Sequence, residues 1–319
     1  MSENKQKNED LARESFQFQA EVARVLDIVI NSLYTDREIF IRELISNAAD
    51  AMEKKRFQDL TGGKDPENEG PLEIKITLDK DANSFTISDS GIGMTRDQLV
   101  ENLGKIAHSG AVDFLQKVAD SDKKEVNLIG QFGVGFYSAF MVAESVVVKT
   151  RSAADSEHGW KWSSDGKSEY VIEPMDGLST GTTIELQLKD DAKDFVEEWQ
   201  VKETIRKYSG FVSFPVKVGD ETVNTMQAIW TKPASELKEE DYNEFFKFTA
   251  PSHQEPIDTI HFSTDAPISI RSLLFIPPEN PEQYGLGRTD PNVSLYSRKV
   301  LIQKNAKDLL PQWMRFITG

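Results

Sequence analysis

The sequence predicts an α/β protein of the α+β kind, built in two units. Three observations carry that expectation. Apolar residues recur at helical spacing over residues 22–52. Residues 72–88 and much of 145–188 alternate apolar with polar side chains, as half-buried strands do. A chain of 319 residues, 38% of them hydrophobic, can fill more than one small core.

The elements come in this order. Residues 1–15 read as a flexible arm, and residues 16–20 alternate as a short edge strand. Val22, Val25, Leu26, Val29, Ile30 and Leu33 mark a first helix, and Asp36 is placed to cap a second that runs to about Leu60. After a loop over 61–70, residues 72–78 and 84–88 form a hairpin whose second strand runs into Asp89-Ser90-Gly91-Ile92-Gly93-Met94. A short helix is expected over 95–102. The small, polar, glycine-flanked segment after it, about 104–130, is of the kind that makes mobile covers.

Gly130-Gln131-Phe132-Gly133-Val134-Gly135-Phe136 then enters an apolar helix over 137–142. Strands are expected over 146–150, 160–163, 170–173 and 182–188, and a long helix over 195–209 packs through Val196, Trp199, Val201, Ile205 and Tyr208. A strand over 212–218 closes a first domain spanning 16–218. A linker, 219–226, leads to a second domain over 227–319, with an acidic helix near 239–248 and strands around 259–262, 269–275 and 294–302. No stop signal ends the pattern at 309–319, so the chain reads as a fragment.

Composition excludes several classes of function. Lys and Arg number 37 against 53 Asp and Glu, and a net charge of −16 opposes binding to a phosphate backbone, so no nucleic acid is expected as a main partner. Cysteine is absent, which removes disulfides, thiolate zinc sites and cysteine nucleophiles together. The longest apolar-looking run, 136–148, is interrupted by Ser138 and Glu144 and is too short to span a bilayer, so no membrane partner is expected. Residues 1–14 are polar and acidic, unlike a signal peptide or an organellar presequence. A cytoplasmic protein is the expectation, or one of the mitochondrial matrix if the chain is a processed organellar form.

The chemistry concentrates in three places. On a helix Glu43, Asn47 and Asp50 share one face beside an apolar flank of Phe40, Ile41, Leu44, Ile45, Ala48 and Met52. Asn47 can offer a carbonyl oxygen to Mg²⁺, a hard cation that keeps several waters, and Glu43 can deprotonate or polarise a water attacking a terminal phosphate. A solvated polar face explains the helix equally well when taken alone.

Two glycines after Asp89 let the backbone turn tightly against a flat ligand, and the carboxylate can accept from an exocyclic amine such as adenine's. A plain turn also accounts for them. The backbone N–H groups of 130–136 at a helix start make an anion cradle. That cradle is not a dinucleotide fingerprint, since Ser138 stands where the last glycine belongs. Gly166-Lys167-Ser168 is not a P-loop either, since Lys161 stands where its first glycine belongs.

Taken together, Glu-x-x-x-Asn on a helix, Asp-x-Gly-x-Gly after a strand, a polar cover, Gly-x-x-Gly-x-Gly entering a helix and Gly181-Thr182 before a strand resemble the ATPases of the gyrase, heat-shock protein 90, histidine kinase and mismatch-repair type. Ile39-Phe-Ile-Arg-Glu-Leu-Ile-Ser-Asn47 and Ile129-Gly-Gln-Phe-Gly-Val-Gly-Phe-Tyr-Ser-Ala-Phe140 resemble heat-shock protein 90 chaperones in particular. Ser272-Leu-Leu-Phe-Ile-Pro277 and Leu295-Tyr-Ser-Arg-Lys-Val-Leu-Ile-Gln303 look closer to the bacterial and mitochondrial branches of that family. A topoisomerase or mismatch-repair ATPase fits the charge and the second domain less well, and a histidine kinase would carry a phosphoacceptor-histidine helix before the site.

The resemblance implies a two-layer α/β sandwich, helices on one face of a mostly antiparallel sheet, followed by part of a middle domain. It implies ATP and Mg²⁺ as ligands, with Glu43 as catalytic base and Asn47 as the Mg²⁺ and phosphate contact. Asp89 would contact adenine, with Gly93 and Thr182 sharing its water network. Met94 and Leu103 would line the base pocket, Asn102 and the Phe136 backbone would contact ribose and phosphates, and about 104–130 would be the lid. Client proteins and co-chaperones are the implied partners. Full-length members are homodimers, and this chain is expected to be monomeric or weakly associating with ATP. Turnover is expected to be weak, because the family's middle-domain arginine comes from beyond the segment matching 309–319 and Arg315 does not match it. The competing reading is a nucleotide-binding and interaction module without significant turnover.

Overall fold

The computed structural model describes residues 13–18, 36–61, 70–104, 135–155, 157–167, 169–250, 254–279, 282, 291–297 and 299–319. The expected first helix, the cover over 105–130 and residues 130–134 lie outside them. The chain forms two compact units, Met1–Thr225 and Met226–Gly319.

In the first unit the described residues carry strands β1 (Glu14–Gln17), β2 (Ile74–Asp79), β3 (Ser84–Asp89), β4 (Ala143–Arg151), β5 (Gly159–Ser164), β6 (Glu169–Pro174), β7 (Gly181–Leu188), β8 (Val216–Val218) and β9 (Glu221–Thr222), and helices α1 (Ile39–Thr61), α2 (Arg96–Leu103) and α3 (Glu198–Ser209). The strands join in one sheet of order β1-β6-β5-β4-β7-β3-β2-β8-β9. Every pairing is antiparallel except that of β2 with β8. The alternation read in the sequence is the sheet's inside and outside: Ile74 and Ile76 are buried while Lys75 and Thr77 are exposed.

Helix α1 lies over the β2–β3 hairpin. Phe40, Ile41, Leu44, Ile45 and Met52 are almost wholly buried, and Phe40 meets Phe85 of β3 edge-on at 5.2 Å between ring centroids. The expected cap is a backbone one, with the carbonyl of Asp36 accepting from the N–H of Ile39 at 3.4 Å.

Several local features differ from the sequence reading. In place of the helix expected over 137–142 stands a 3₁₀ segment, Gly135–Met141, buried on every side, so no polar face was present to reveal the helix type. The long helix over 195–209 is a 3₁₀ turn, Asp190–Val196, and α3, divided by extended backbone at Glu197. Trp199 is 66% exposed, because Val201, Ile205 and Tyr208 define the buried stripe and a residue two positions before Val201 falls on the opposite side. The strand over 212–218 shortens to β8, which begins after Pro215, a residue with no N–H to give a ladder. Within the stretch read as a linker, β9 folds back on β8.

The second unit carries α4 (Glu239–Thr249), the hairpin β10 (Asp258–Thr264) and β11 (Ile270–Ile276), and the hairpin β12 (Leu295–Ser297) and β13 (Val300–Gln303). Its core is aromatic: Phe246 and Phe275 are fully buried with ring centroids 5.3 Å apart, and Trp230 packs on Phe245 at 5.6 Å.

Candidate functional site

Helix α1 buries Glu43 to 7% exposure and leaves Asn47, one turn on, exposed, with Asp50 half-buried. A lone buried carboxylate would be costly. The neighbouring Arg42, itself 3% exposed, answers it: its Nε donates to Glu43 Oε1 at 2.9 Å and its terminal nitrogen donates to the same oxygen. Glu43 Oε2 faces Gly135 so closely that a Cβ there would come to 2.3 Å from it. One carboxylate oxygen is therefore held by the arginine, and the other is turned toward the start of the 3₁₀ segment.

Asp89 ends β3 opposite Thr182 of β7. The backbone N–H groups of Gly91, at 2.8 Å, and of Thr182 donate to its carboxylate. Burial outweighs these bonds and pushes the carboxyl up to about 7. The loop beyond it packs directly on α1, with the N–H of Ile92 donating to the carbonyl of Ala51 at 3.1 Å. Glycine is required there: a Cβ on Gly91 would lie 2.7 Å from Asp89 Oδ1 and 2.8 Å from the Ala51 backbone. Gly93 has φ +65° and would place a Cβ 1.9 Å from the Arg151 carbonyl.

Thr150, 1% exposed, fastens this loop to the sheet. Its hydroxyl accepts from the N–H of Met94 at 2.9 Å, donates to the Gly181 carbonyl at 2.9 Å and lies 3.1 Å from the Thr182 hydroxyl. Helix α2 begins with a capping box between Thr95 and Gln98, which fixes where its last turn falls. There the Asn102 amide lies 3.9 Å from Met94 Sδ, and the Leu103 carbonyl accepts from Tyr137 at 3.2 Å.

The structure thus ties Met94 and Thr182 to one threonine, joins Asp89 to them through the Thr182 N–H, sets Gly93 against the Arg151 carbonyl, links Asn102 and Leu103 to that group and to the 3₁₀ segment, and sets Glu43 against Gly135. Phe136 turns its ring into the core against Trp162, at 5.7 Å. Gly130, Gln131, Phe132, Gly133 and Val134 lie outside the described residues. Sequence reasoning passed over Thr150 and Arg42. The signal for Thr150 was a hydroxyl ending a valine strand in register with Thr182; for Arg42 it was a cation inside an apolar helical stripe. Gly166 turns between β5 and β6 with φ +74°, so that glycine serves a hairpin. Among the described residues no three His, Cys, Asp or Glu side chains converge as a metal site, and no helix is long and apolar enough to cross a membrane.

A large mixed sheet under a helix bearing Glu43 and Asn47, with an Asp-x-Gly-x-Gly loop folded onto that helix, defines a nucleotide-type ATPase domain, and residues 34–191 match the family described as histidine kinase-, DNA gyrase B- and HSP90-like ATPase. Residues 217–319 match the Hsp90 protein family. The chain belongs to the heat-shock protein 90 family, and it joins the family's ATPase domain to a second unit C-terminal to it.

Its relatives agree. It is 54% identical over 307 residues to the chaperone protein HtpG of Desulfitobacterium hafniense (strain Y51), covering 96% of this chain and 50% of that protein. Identity to HtpG of Desulfotalea psychrophila is 52% over 305 residues, with 96% and 49% covered. The mitochondrial TNF receptor-associated protein 1 homolog of Dictyostelium discoideum is 47% identical over 307 residues, with 96% and 43% covered. The chain spans about half the length of the curated relatives it matches.

Proposed function

We propose that this chain binds Mg-ATP at the Asp89–Glu43 site, hydrolyses it slowly, and couples rearrangement of residues 104–130 and of β1 to the folding of client proteins. The observation that carries the reading is the divided carboxylate of Glu43, with Oε1 held by Arg42 and Oε2 turned toward Gly135. A general base needs one oxygen free and aimed. Oε2 takes the proton of the attacking water, while Arg42 keeps the carboxylate plane from turning.

Asp89 accepts from the exocyclic amine of adenine, and the glycines at 91 and 93 let the loop that carries it close onto α1 and the sheet. Met94 and Leu103 flank the base, Gly93 and Thr182 share its water network, Asn102 reaches ribose and phosphate, and the backbone of 130–136 cradles the phosphates. Asn47 is exposed and carries an amide oxygen, a donor suited to Mg²⁺ that otherwise keeps waters and phosphate oxygens, so an acidic cluster is not needed. Magnesium supplies neutralisation of charge developing on the terminal phosphate.

Turnover is slow in this reading, because the family's middle-domain arginine is not matched by Arg315, whose guanidinium is bonded to Glu282 at 2.5 and 2.6 Å. The partners are client proteins and co-chaperones, the setting is the cytoplasm or the mitochondrial matrix, and the chain is monomeric or associates weakly when ATP binds.

The test is calorimetric binding of Mg-ATP to wild type, Asp89→Asn and Glu43→Ala, with phosphate release from the same samples. Asp89→Asn is expected to lose binding, and Glu43→Ala to bind within about threefold of wild type while losing hydrolysis. Wild type that binds without turnover would make the chain a binding module, and wild type that does not bind ATP would end the reading.

A further inference from the structure

We infer that Tyr208 on α3 is a positioning residue for Glu43, acting through Arg42. The inference rests on the reading of Glu43 as the water-activating base. Arg42 is a buried cation with two sides to satisfy. On one side stands the Glu43 carboxylate, bonded through a single oxygen. On the other the Arg42 guanidinium carbon lies 5.9 Å from the centre of the Tyr208 ring, within cation–π range. The guanidinium is planar and delocalised, so a flat aromatic face fixes its plane as well as its position.

The ring is itself pinned. Tyr208 is 8% exposed, and its hydroxyl donates to Glu38 Oε1 at 3.0 Å. Glu38 also accepts from the Lys207 ammonium, so two donors of α3 hold one carboxylate just before α1, while the Thr204 hydroxyl, 3.4 Å from its other oxygen, donates to the Gln200 carbonyl at 2.9 Å. Lys207 lies over the same ring at 4.5 Å, and the Glu38 carboxylate it touches offsets its charge. A phenol donating to a carboxylate places electron density on its ring, which strengthens its hold on a cation. Burial keeps that phenol protonated by raising it above its ordinary range.

The relay runs from Glu38 to Tyr208, to Arg42, to Glu43 Oε1, and so sets where Oε2 points. Ordinary packing of α1 on α3 would explain a buried tyrosine but would not require its face to lie against the cation that holds the base. Small errors in the aim of a base cost large factors in rate, whereas nucleotide affinity depends on other residues.

The experiment compares wild type, Tyr208→Phe, Tyr208→Leu and Glu43→Ala by two readouts. The first is solvent exchange of the Arg42 Nε–H, followed by nuclear magnetic resonance without nucleotide. The second is the pair of Mg-ATP affinity and single-turnover hydrolysis rate. In Tyr208→Leu the Nε–H is expected to exchange at least about tenfold faster, and hydrolysis to fall about fivefold with affinity within about threefold. Tyr208→Phe, which keeps the ring but loses its bond to Glu38, is expected to fall between Tyr208→Leu and wild type in both.

Unchanged Arg42 exchange in Tyr208→Leu overturns the inference, and so does a hydrolysis rate that rises or that falls only as affinity falls. Should Tyr208→Leu not fold, Glu38→Gln replaces it, with faster Arg42 exchange expected and an unchanged value overturning the relay. If Glu43→Ala hydrolyses like wild type, the base reading fails separately, and the exchange measurement still decides whether Tyr208 holds Arg42.

Discussion

At Asp89 the protein keeps a carboxyl where burial works against its charge. The folded site favours the protonated acid, so the stabilising contribution is complete below the ordinary value of 3.8 and is lost as pH rises through about 7. Asn at this position cannot ionise and still accepts from the Gly91 N–H. Asp89→Asn without nucleotide is therefore expected to match wild type near pH 4 and to exceed it by about 2–4 kcal/mol near pH 8, read by urea denaturation at each pH. Parallel stability curves across that range would show that the carboxyl titrates as an ordinary one.

The two glycines nearest the chemistry should respond in opposite ways. An alanine at Gly135 meets the Glu43 carboxylate first, at 2.3 Å, with the Glu43 Cβ at 3.4 Å, so the fold should survive with nucleotide affinity within about threefold while hydrolysis drops about tenfold or more. An alanine at Gly93 meets the Arg151 backbone carbonyl at 1.9 Å from a left-handed conformation, so unit 1 should lose about 2 kcal/mol or more in a melting experiment.

Among the elements, β1 is the edge strand of the sheet and is held by few groups. It pairs with β6 over four residues, Glu14 takes the Arg96 guanidinium of α2 at 2.6 and 2.9 Å, and Arg96 also lies 5.7 Å from the centre of the Phe16 ring. Arg96→Ala is expected to speed amide exchange in residues 14–17 several-fold while leaving global melting within about 1 kcal/mol, because a partly exposed ion pair adds little to overall stability. Exchange that stays at the wild-type rate would mean that the β6 ladder and the stacking of Phe16 on Tyr170, 5.2 Å between ring centroids, retain the strand without Arg96.

Periodicity decided how much was legible at this scale. The β2–β3 hairpin could be placed to within about two residues, since Ile74 and Ile76 alternate with exposed polar positions and Phe85 and Ile87 with half-buried ones. The 3₁₀ segment could not, because seven consecutive buried residues leave no pattern to tell one helix type from another. Around the site, Asp89 and the glycines stood out only in combination with the Glu-x-x-x-Asn helix and the later glycine motif, since a plain turn accounts for them alone. Thr150 was hidden because its role depends on Thr182, 32 positions away, being brought level with it by the β4–β7 register.

For the whole molecule, the division at Thr225 and Met226 bears on where nucleotide recognition resides. Every described residue assigned to the nucleotide lies before that division, from Glu43 to Thr182, and the Glu38–Tyr208 relay does too. The sheet that carries Asp89 is also complete before it, since β9, its last strand, ends at Thr222. Residues 1–225 prepared alone should therefore fold, melt cooperatively and bind Mg-ATP within about threefold of the 319-residue chain, because binding energy depends on contacts that remain present. Hydrolysis by that piece should equal that of the longer chain if Arg315, which does not match the family's middle-domain arginine, takes no part. A piece that folds but binds ATP more than about tenfold more weakly would mean that residues 226–319 complete the site, and the assignment of the nucleotide contacts to the first unit alone would have to be abandoned.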